Sequence, residues 1–294
     1  MLNLLDYLEN HPEQFKQYKV NDLLFVEYHC IIEEVEVGFW TPNNYLQYVL
    51  TGKKQWRDFG KVYTGEPGDA LFIKKGAYIA HQFFEEEFCS LIIFLPDDFI
   101  KNVVQNHPKL GHGPQPESLD ESVICMAIDE CLSSYFKSVL GYFSRDEQPP
   151  KELLSVKFEE LILNILTDSD NKALADYFKK VGSETKISIR EVMESNFTYN
   201  LNLEEFARLT GRSLSTFQRE FKKIYNTTPG KWLTQRRLQY AKNLLRSTVM
   251  SVTAISFESG FENPSHFSRV FKKQFGVPPV TFREENLRDV VWNK

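Results

Sequence analysis

Ser215-Thr216-Phe217-Gln218-Arg219-Glu220-Phe221-Lys222-Lys223-Ile224-Tyr225-Asn226-Thr227-Thr228-Pro229 recurs fifty residues later as Ser265-His266-Phe267-Ser268-Arg269-Val270-Phe271-Lys272-Lys273-Gln274-Phe275-Gly276-Val277-Pro278-Pro279. Both copies keep the frame Ser-x-Phe-x-Arg-x-Phe-Lys-Lys, then an aromatic residue and a proline. At about 100° per residue, Leu214, Phe217, Phe221 and Ile224 share one arc of roughly 80°, with Ser215, Gln218, Arg219 and Lys222 opposite. In the second copy Phe267 and Phe271 pack, while Ser265, Ser268, Arg269 and Lys272 face out. Each copy therefore predicts a helix anchored by aromatics that presents hydroxyl, amide and guanidinium groups.

Such groups suit a DNA major groove, where Arg pairs with guanine, Gln with adenine, and Lys and Ser with phosphates or bases. Upstream of each copy lies a short helix pattern ending at glycine: Leu203 to Leu209 before Gly211, and Val252 to Glu258 before Gly260. Small residues (Ala207, Ser256) permit close helix crossing, and glycine permits the turn of a helix-turn-helix. Between the copies, Pro229 to Arg246 reads as a linker helix about 25 Å long, suited to setting the two readers about one duplex turn apart. The expected DNA contacts are Ser215, Thr216, Gln218, Arg219 and Lys222 from the first copy. From the second they are Asn263, Ser265, His266, Ser268, Arg269 and Lys272. A single amphipathic helix of this kind is ordinarily a solvated basic face; its duplication, with matched flanks, points to DNA.

The charge distribution agrees. The 294 residues carry a net charge of −5. Residues 1–182 hold 17 Lys and Arg against 29 Asp and Glu, a net of −12, whereas residues 183–294 hold 18 against 11, a net of +7. An acidic module joined to a basic one fits nucleic-acid contact by one part only. No stretch approaches the roughly 20 apolar residues that span a bilayer, and the expected location is cytoplasmic. Cys30, Cys89, Cys125 and Cys131 lack C-x-x-C spacing, predict neither zinc site nor disulfide framework, and read as buried thiols.

The acidic part is expected at 1–182, with the boundary in the polar break Gly182-Ser183-Glu184-Thr185. Residues 2–19 suggest one or two short helices, the second starting at Pro12. From 20 to 100, apolar runs such as Leu24–Cys30, Val35–Trp40, Leu46–Leu50, Ala70–Ile73 and Cys89–Leu95 alternate with turn signals, including Asp58-Phe59-Gly60, and predict an antiparallel sandwich or barrel. A connector, His107 to Pro116, leads to a helix over Ser118 to Phe143, capped by Ser118 or Asp120. Two more follow, one around Leu153 to Ile165 and one from Lys172 to Val181. These helices are expected to form a homodimer interface or, equally, to cover the sheet.

Gly260-Phe261-x-x-x-Ser265-x-Phe267-x-Arg269-x-Phe271-Lys272-Lys273-x-Phe275-Gly276-x-x-Pro279-x-x-Phe282-Arg283 closely resembles the signature of the AraC/XylS transcription regulators. The resemblance covers about residues 186–286. It implies a seven-helix domain of two helix-turn-helix units that contacts promoter DNA and recruits RNA polymerase. Pro278, where the family usually has Ser or Thr, and Asn226-Thr227-Thr228 before Pro229 depart mildly from the pattern. Pro67-Gly68-Asp69-Ala70-Leu71-Phe72-Ile73-Lys74-Lys75-Gly76 resembles the turn-strand-turn of cupin barrels. The expected fold is thus α+β and multidomain: a cupin-like antiparallel barrel with appended dimerisation helices, then an all-α domain at 183–294.

Two sensing modes stay open for the acidic part. One is a small effector held between aromatic walls, with Trp40, Tyr45, Trp56, Phe72 and Tyr78 as binding candidates, beside Phe39 and Tyr63. The other is a protein antiactivator. Phe25 to Pro42, Tyr48 to Lys54 and Gln82 to Phe99 resemble the N-terminal domain of the type III secretion master activators, which are controlled in that way. A barrel enzyme is the competing class. It needs converging ligands or a nucleophile-base pair, yet residues 1–182 contain no His-x-His, and His81 sits two positions late for a cupin ligand; His29, His107 and His112 read as surface or loop residues. No metal, cofactor or catalytic residue is expected.

Overall fold

A computed structural model describes residues 1–30, 34–58, 61–111, 121–145, 147–183 and 187–284. The chain divides into two units, Met1–Lys186 and Ile187–Lys294. The polar break at 184–185, the caps at Ser118 and Asp120, His112, and Phe59-Gly60 lie outside the described residues.

The first unit runs β1 (Leu2–Asn3), α1 (Leu4–Glu9), β2 (Gln17–Val20), β3 (Leu23–His29), β4 (Glu36–Thr41), β5 (Asn44–Thr51), β6 (Lys54–Asp58), β7 (Lys61–Gly65), β8 (Ala70–Ile73), β9 (Gly76–Gln82) and β10 (Cys89–Leu95). It continues with α2 (Asp97–Asn106), α3 (Pro108–Gly111), β11 (Val123–Met126), α4 (Glu130–Phe143), α5 (Lys151–Thr167) and α6 (Lys172–Ser183). The strands form a five-stranded sheet, β1-β4-β9-β6-β7, and a six-stranded sheet, β11-β8-β5-β10-β3-β2. Among the described residues no ladder joins the two, so they make an open sandwich rather than a closed barrel.

The run Leu91-Ile92-Ile93-Phe94-Leu95 shows why the layers stack as they do. Successive strand residues point to opposite faces. Ile92 and Phe94 join Tyr45, Val49, Trp56 and Tyr78 in the core between the sheets. Leu91, Ile93 and Leu95 join Phe25, Leu46 and Phe72 in a second core, built with Phe136, Phe158, Leu161 and Phe178 of the helices. The six-stranded sheet is therefore buried on both faces, which explains its unbroken apolar runs. A buried polar knot fastens the helices to it. The Asn44 side-chain amide donates to Asp97 Oδ1 (2.7 Å), Tyr177 OH donates to Asn44 Oδ1 (2.9 Å), and Lys75 pairs with Asp97.

Three expectations fail here. Only α1 forms within 2–19; Gln17–Val20 pairs with β3 as a strand, because its alternating Tyr18 and Val20 bury on the sheet edge. The helix expected from Ser118 starts at Glu130, capped by Asp129, whose side chain accepts from Leu132 N. Before it, the β-branched and apolar residues Val123-Ile124-Cys125-Met126 extend the sheet along β8. And no cysteine is buried: Cys30 and Cys89 are half-buried, Cys125 and Cys131 exposed.

Among the described residues the second unit has only helices as regular elements: α7 (Ile189–Asn196), α8 (Leu203–Leu209), α9 (Leu214–Tyr225), α10 (Pro229–Ser247), α11 (Val252–Glu258) and α12 (Pro264–Phe275). Residues 279–284 open a seventh helix. Leu238, Ala241 and Leu245 of α10 share a core with Ile255, Phe261, Phe267, Phe271 and Phe282. No described helix is long and apolar enough to cross a membrane.

Candidate nucleic-acid interface

α8–α9 and α11–α12 are the two helix-turn-helix units, and each turn follows from its sequence. α8 opens with a reciprocal cap between Asn202 and Glu205, and α11 with Ser251, whose side chain accepts from Ala254 N. Each first helix ends in a paired backbone closure. Gly211 N donates to Arg208 O and Arg212 N to Ala207 O, while Gly260 N donates to Phe257 O and Phe261 N to Ser256 O. Both glycines have positive φ, 65° and 83°, as this closure demands. Ala207 and Ser256 are buried, leaving room for the crossing.

The reader helices then start from caps. Ser213 accepts from Thr216 N, and Asn263 Oδ1 accepts from both Ser265 N and His266 N, with Pro264 in the first turn. Phe217, Phe221, Phe267 and Phe271 are 0% exposed. On the opposite faces Ser215, Gln218, Arg219, Lys222, Ser265, His266, Arg269 and Lys272 are exposed, and Thr216 and Ser268 half-buried. The Asn263 side chain is exposed but its oxygen is committed to the cap.

The arginines divide into two kinds. Arg212 pairs with Glu220 (2.8 Å) and donates to the carbonyls of Ile187 and Thr210. Arg236 pairs with Glu194 (2.8 Å), and Arg237 donates to the carbonyls of Phe197 (2.6 Å) and Tyr199 (2.8 Å). Burial pushes the Arg237 pKa down, partly offset by Glu262. These three hold the unit together. By contrast the side chains of Arg219, Arg269, Lys222 and Lys272 have no ion pair or hydrogen bond among the described residues. A guanidinium left in solvent on a rigid helix is free to grip a base edge or a phosphate.

Ile224 is the misplaced member of the predicted packing face: it is 46% exposed. Tyr225 takes its place, stacked on Phe221 (4.6 Å) and against Trp232 (5.2 Å) of α10. The repeat already held this signal, since the second copy has Gln274 and Phe275 at the two positions.

In the first unit the aromatic candidates separate. Tyr45 and Trp56 line a cavity of about 30 Å³ between the sheets, together with Phe39, Tyr28, Gln47, Lys54, Gln82, Leu2 and Leu4. Trp40, Phe72 and Tyr78 do not line it. Phe72 faces the helices, in contact with Tyr177 and Phe178, and the Tyr78 hydroxyl donates to Lys74 O (2.7 Å). Residue type alone does not single out Lys54, although Lys54-x-Trp56 puts both residues on one strand face. Its ammonium lies 3.4 Å from Tyr28 OH, 3.7 Å from Cys30 Sγ, and over the rings of Tyr28 and Phe88. No carboxylate of the described residues is within ion-pair reach of it. Burial lowers its pKa; the nearby Cys30 works against that.

Residues 44–177 match the family model described as the ExsA N-terminal regulatory domain, and residues 206–285 match that of a helix-turn-helix domain. The chain is 27% identical over 239 residues to the thermoregulatory protein LcrF of Yersinia pestis, covering 81% of this chain and 88% of that one. It is also 27% identical over 241 residues to the HTH-type transcriptional regulator ExsA of Pseudomonas aeruginosa, covering 80% and 84%. Among solved structures, apo ToxT K231A from Vibrio cholerae aligns over 90% of this chain and 98% of its own, with 13% identity and a TM-score of 0.44.

Proposed function

This chain belongs to the AraC family of helix-turn-helix transcription regulators, in its ExsA-like branch, and we propose that α9 and α12 read two successive major grooves of a promoter to activate transcription. It is a DNA-binding regulator and not an enzyme. One observation supports the reading best: two reader helices with fully buried Phe pairs expose matching Ser, Arg and Lys residues, and the Arg and Lys among them have no partners within the described chain. Ser215, Thr216, Gln218 and Arg219 take one half-site, and Ser265, His266, Ser268 and Arg269 the other. Lys222 and Lys272 contact phosphate, while Asn263 serves chiefly to aim the α12 N-terminus. Substituting both Arg219 and Arg269 by Ala is expected to abolish specific promoter binding in a mobility-shift assay while the far-ultraviolet circular dichroism stays unchanged. Specific binding retained by that variant would refute the assignment.

Recruitment of RNA polymerase in the cytoplasm and homodimerisation complete the proposal. Leu153 and Val156, 40% and 57% exposed and three residues apart on α5, offer an apolar edge for a second copy. Control by a protein antiactivator at the first unit is favoured over a metabolite, because pockets that enclose drug-sized ligands measure about 300–1,000 Å³, far above the cavity of about 30 Å³ here. The effector reading retains one specific support: Lys54 is a buried cation that an anionic group would compensate. Co-purification from the host separates the two, a stoichiometric protein supporting the first and a stoichiometric small anion the second.

A further inference from the structure

His29 ends β3 and Cys89 begins β10, and the antiparallel register sets them directly opposite each other. By strand alternation His29 lies on the same face as Leu23 and Phe25, but it stands beyond the helical cover and its side chain is 45% exposed. Cys89 sits at a register shift of the β10–β5 ladder. Glu87 precedes it by two residues, so an extended chain puts both side chains on one side, with Phe88 turned into the core. The backbone that carries Glu87 is held from behind: a Cβ on Gly52, whose φ is 70°, would lie 2.8 Å from Glu87 O and 2.9 Å from Phe88 Cα.

The three donors converge. Cys89 Sγ is 2.8 Å from His29 Nδ1, which is 3.7 Å from Glu87 Oε1, and all three ligand atoms lie within 4.8 Å of one another. In a tetrahedral zinc site the S···N edge is about 3.5 Å and the N···O edge about 3.4 Å, from the usual bond lengths. A small rotation of the two half-exposed side chains reaches that geometry. Imidazole, thiolate and carboxylate are the zinc donor types, and two negative ligands balance the dication. We propose that His29, Glu87 and Cys89 form a three-ligand zinc site with one open position, on the regulatory unit and separate from the DNA-reading helices.

The test uses the full-length, reduced, metal-stripped protein titrated with Co2+. The expected result is one equivalent bound per chain, a thiolate-to-cobalt charge-transfer band, and displacement by Zn2+. Cys89→Ser should remove the band, while the double variant Cys125→Ser/Cys131→Ser keeps it. Glu87→Gln changes a side chain 76% exposed, so it leaves folding intact, and it should weaken Zn2+ binding by about tenfold or more. A band that survives Cys89→Ser, an affinity unchanged by Glu87→Gln, or no uptake by the wild type would overturn the proposal. DNA binding in the same samples reports on the readers alone, so failure of one assignment is distinguishable from failure of the other.

Discussion

In the first helix-turn-helix, Arg212 follows the turn glycine and clasps Glu220 on the reader; in the second, Phe261 stands there and packs on Phe267 at 5.1 Å between ring centroids. The first turn passes from glycine to cap through Arg212 alone, the second through Phe261 and Glu262. The fifty-residue repeat of the readers is thus forty-nine residues at the glycines. The reader helices nevertheless have the same length, twelve residues each, and the same buried Phe pair. A polar clasp and an aromatic plug do the same mechanical work. Two different turns thus deliver helices of equal length with the same buried face.

The two turns differ most in what surrounds their glycines. A Cβ on Gly260 would lie 2.5 Å from Thr198 O and 2.9 Å from Arg237 Nε, whereas on Gly211 it meets only Ile187 Cδ1 at 3.5 Å. Gly260→Ala should cost about 3–5 kcal/mol, overpacking added to left-handed strain, and Gly211→Ala about 1–2 kcal/mol from strain alone. Urea unfolding of the two variants checks the ranking. Equal losses would mean that the tight packing of Gly260 is not used.

Next come the cations. Arg219→Ala and Arg269→Ala should each weaken specific binding by about 1–3 kcal/mol and relax different operator positions, because the tips differ at Gln218 against Ser268 and Thr216 against His266. Competition with singly mutated operators measures this; loss of the same position in both variants contradicts two distinct half-sites. Lys54 is the buried counterpart of these exposed cations, and Lys54→Met should stabilise the first unit by about 1–3 kcal/mol. Burial lowers its folded pKa, so between that value and about 10.4 the unfolded chain holds the extra proton. Native stability rises with pH across that window, and the advantage of Lys54→Met should shrink as pH rises. Thermal melts of both proteins at neutral and alkaline pH follow the difference.

Smaller effects remain. Lys272→Ala should weaken binding to all sequences alike and reduce the salt slope by about one. Smallest of all is Asn226→Gly. Asn226 ends the first reader at φ 52°, where the second copy has Gly276 at 85°. Making the copies alike there should stabilise by less than about 1 kcal/mol, seen as a small rise in the urea midpoint.

Much of the C-terminal unit was legible because its signals are local. Leu203–Leu209 and Val252–Glu258 emerge with the bounds that composition and the following glycine indicate. Periodicity alone misjudged Ile224 because the partner surface, Trp232 of α10, lies to one side of the helix end. The first unit is less legible. Cys89–Leu95 and Ala70–Ile73 stand out as apolar runs, yet β6, β7 and β9 carry Lys, Arg, Thr and Gly and show only half an apolar face. Val123–Met126 reads as helix until the free edge of β8 claims it.

Residue type and spacing along one chain already establish two basic, aromatic-anchored helices, the side chains they present, and the acidic module that accompanies them. Only the tertiary structure decided which aromatics share a cavity and which merely fill a core, that Lys54 is buried among them, and that His29 meets Cys89. Those facts depend on strand register across more than fifty residues of chain, and the register that buries each strand's apolar face is specified only where the strands are paired and packed.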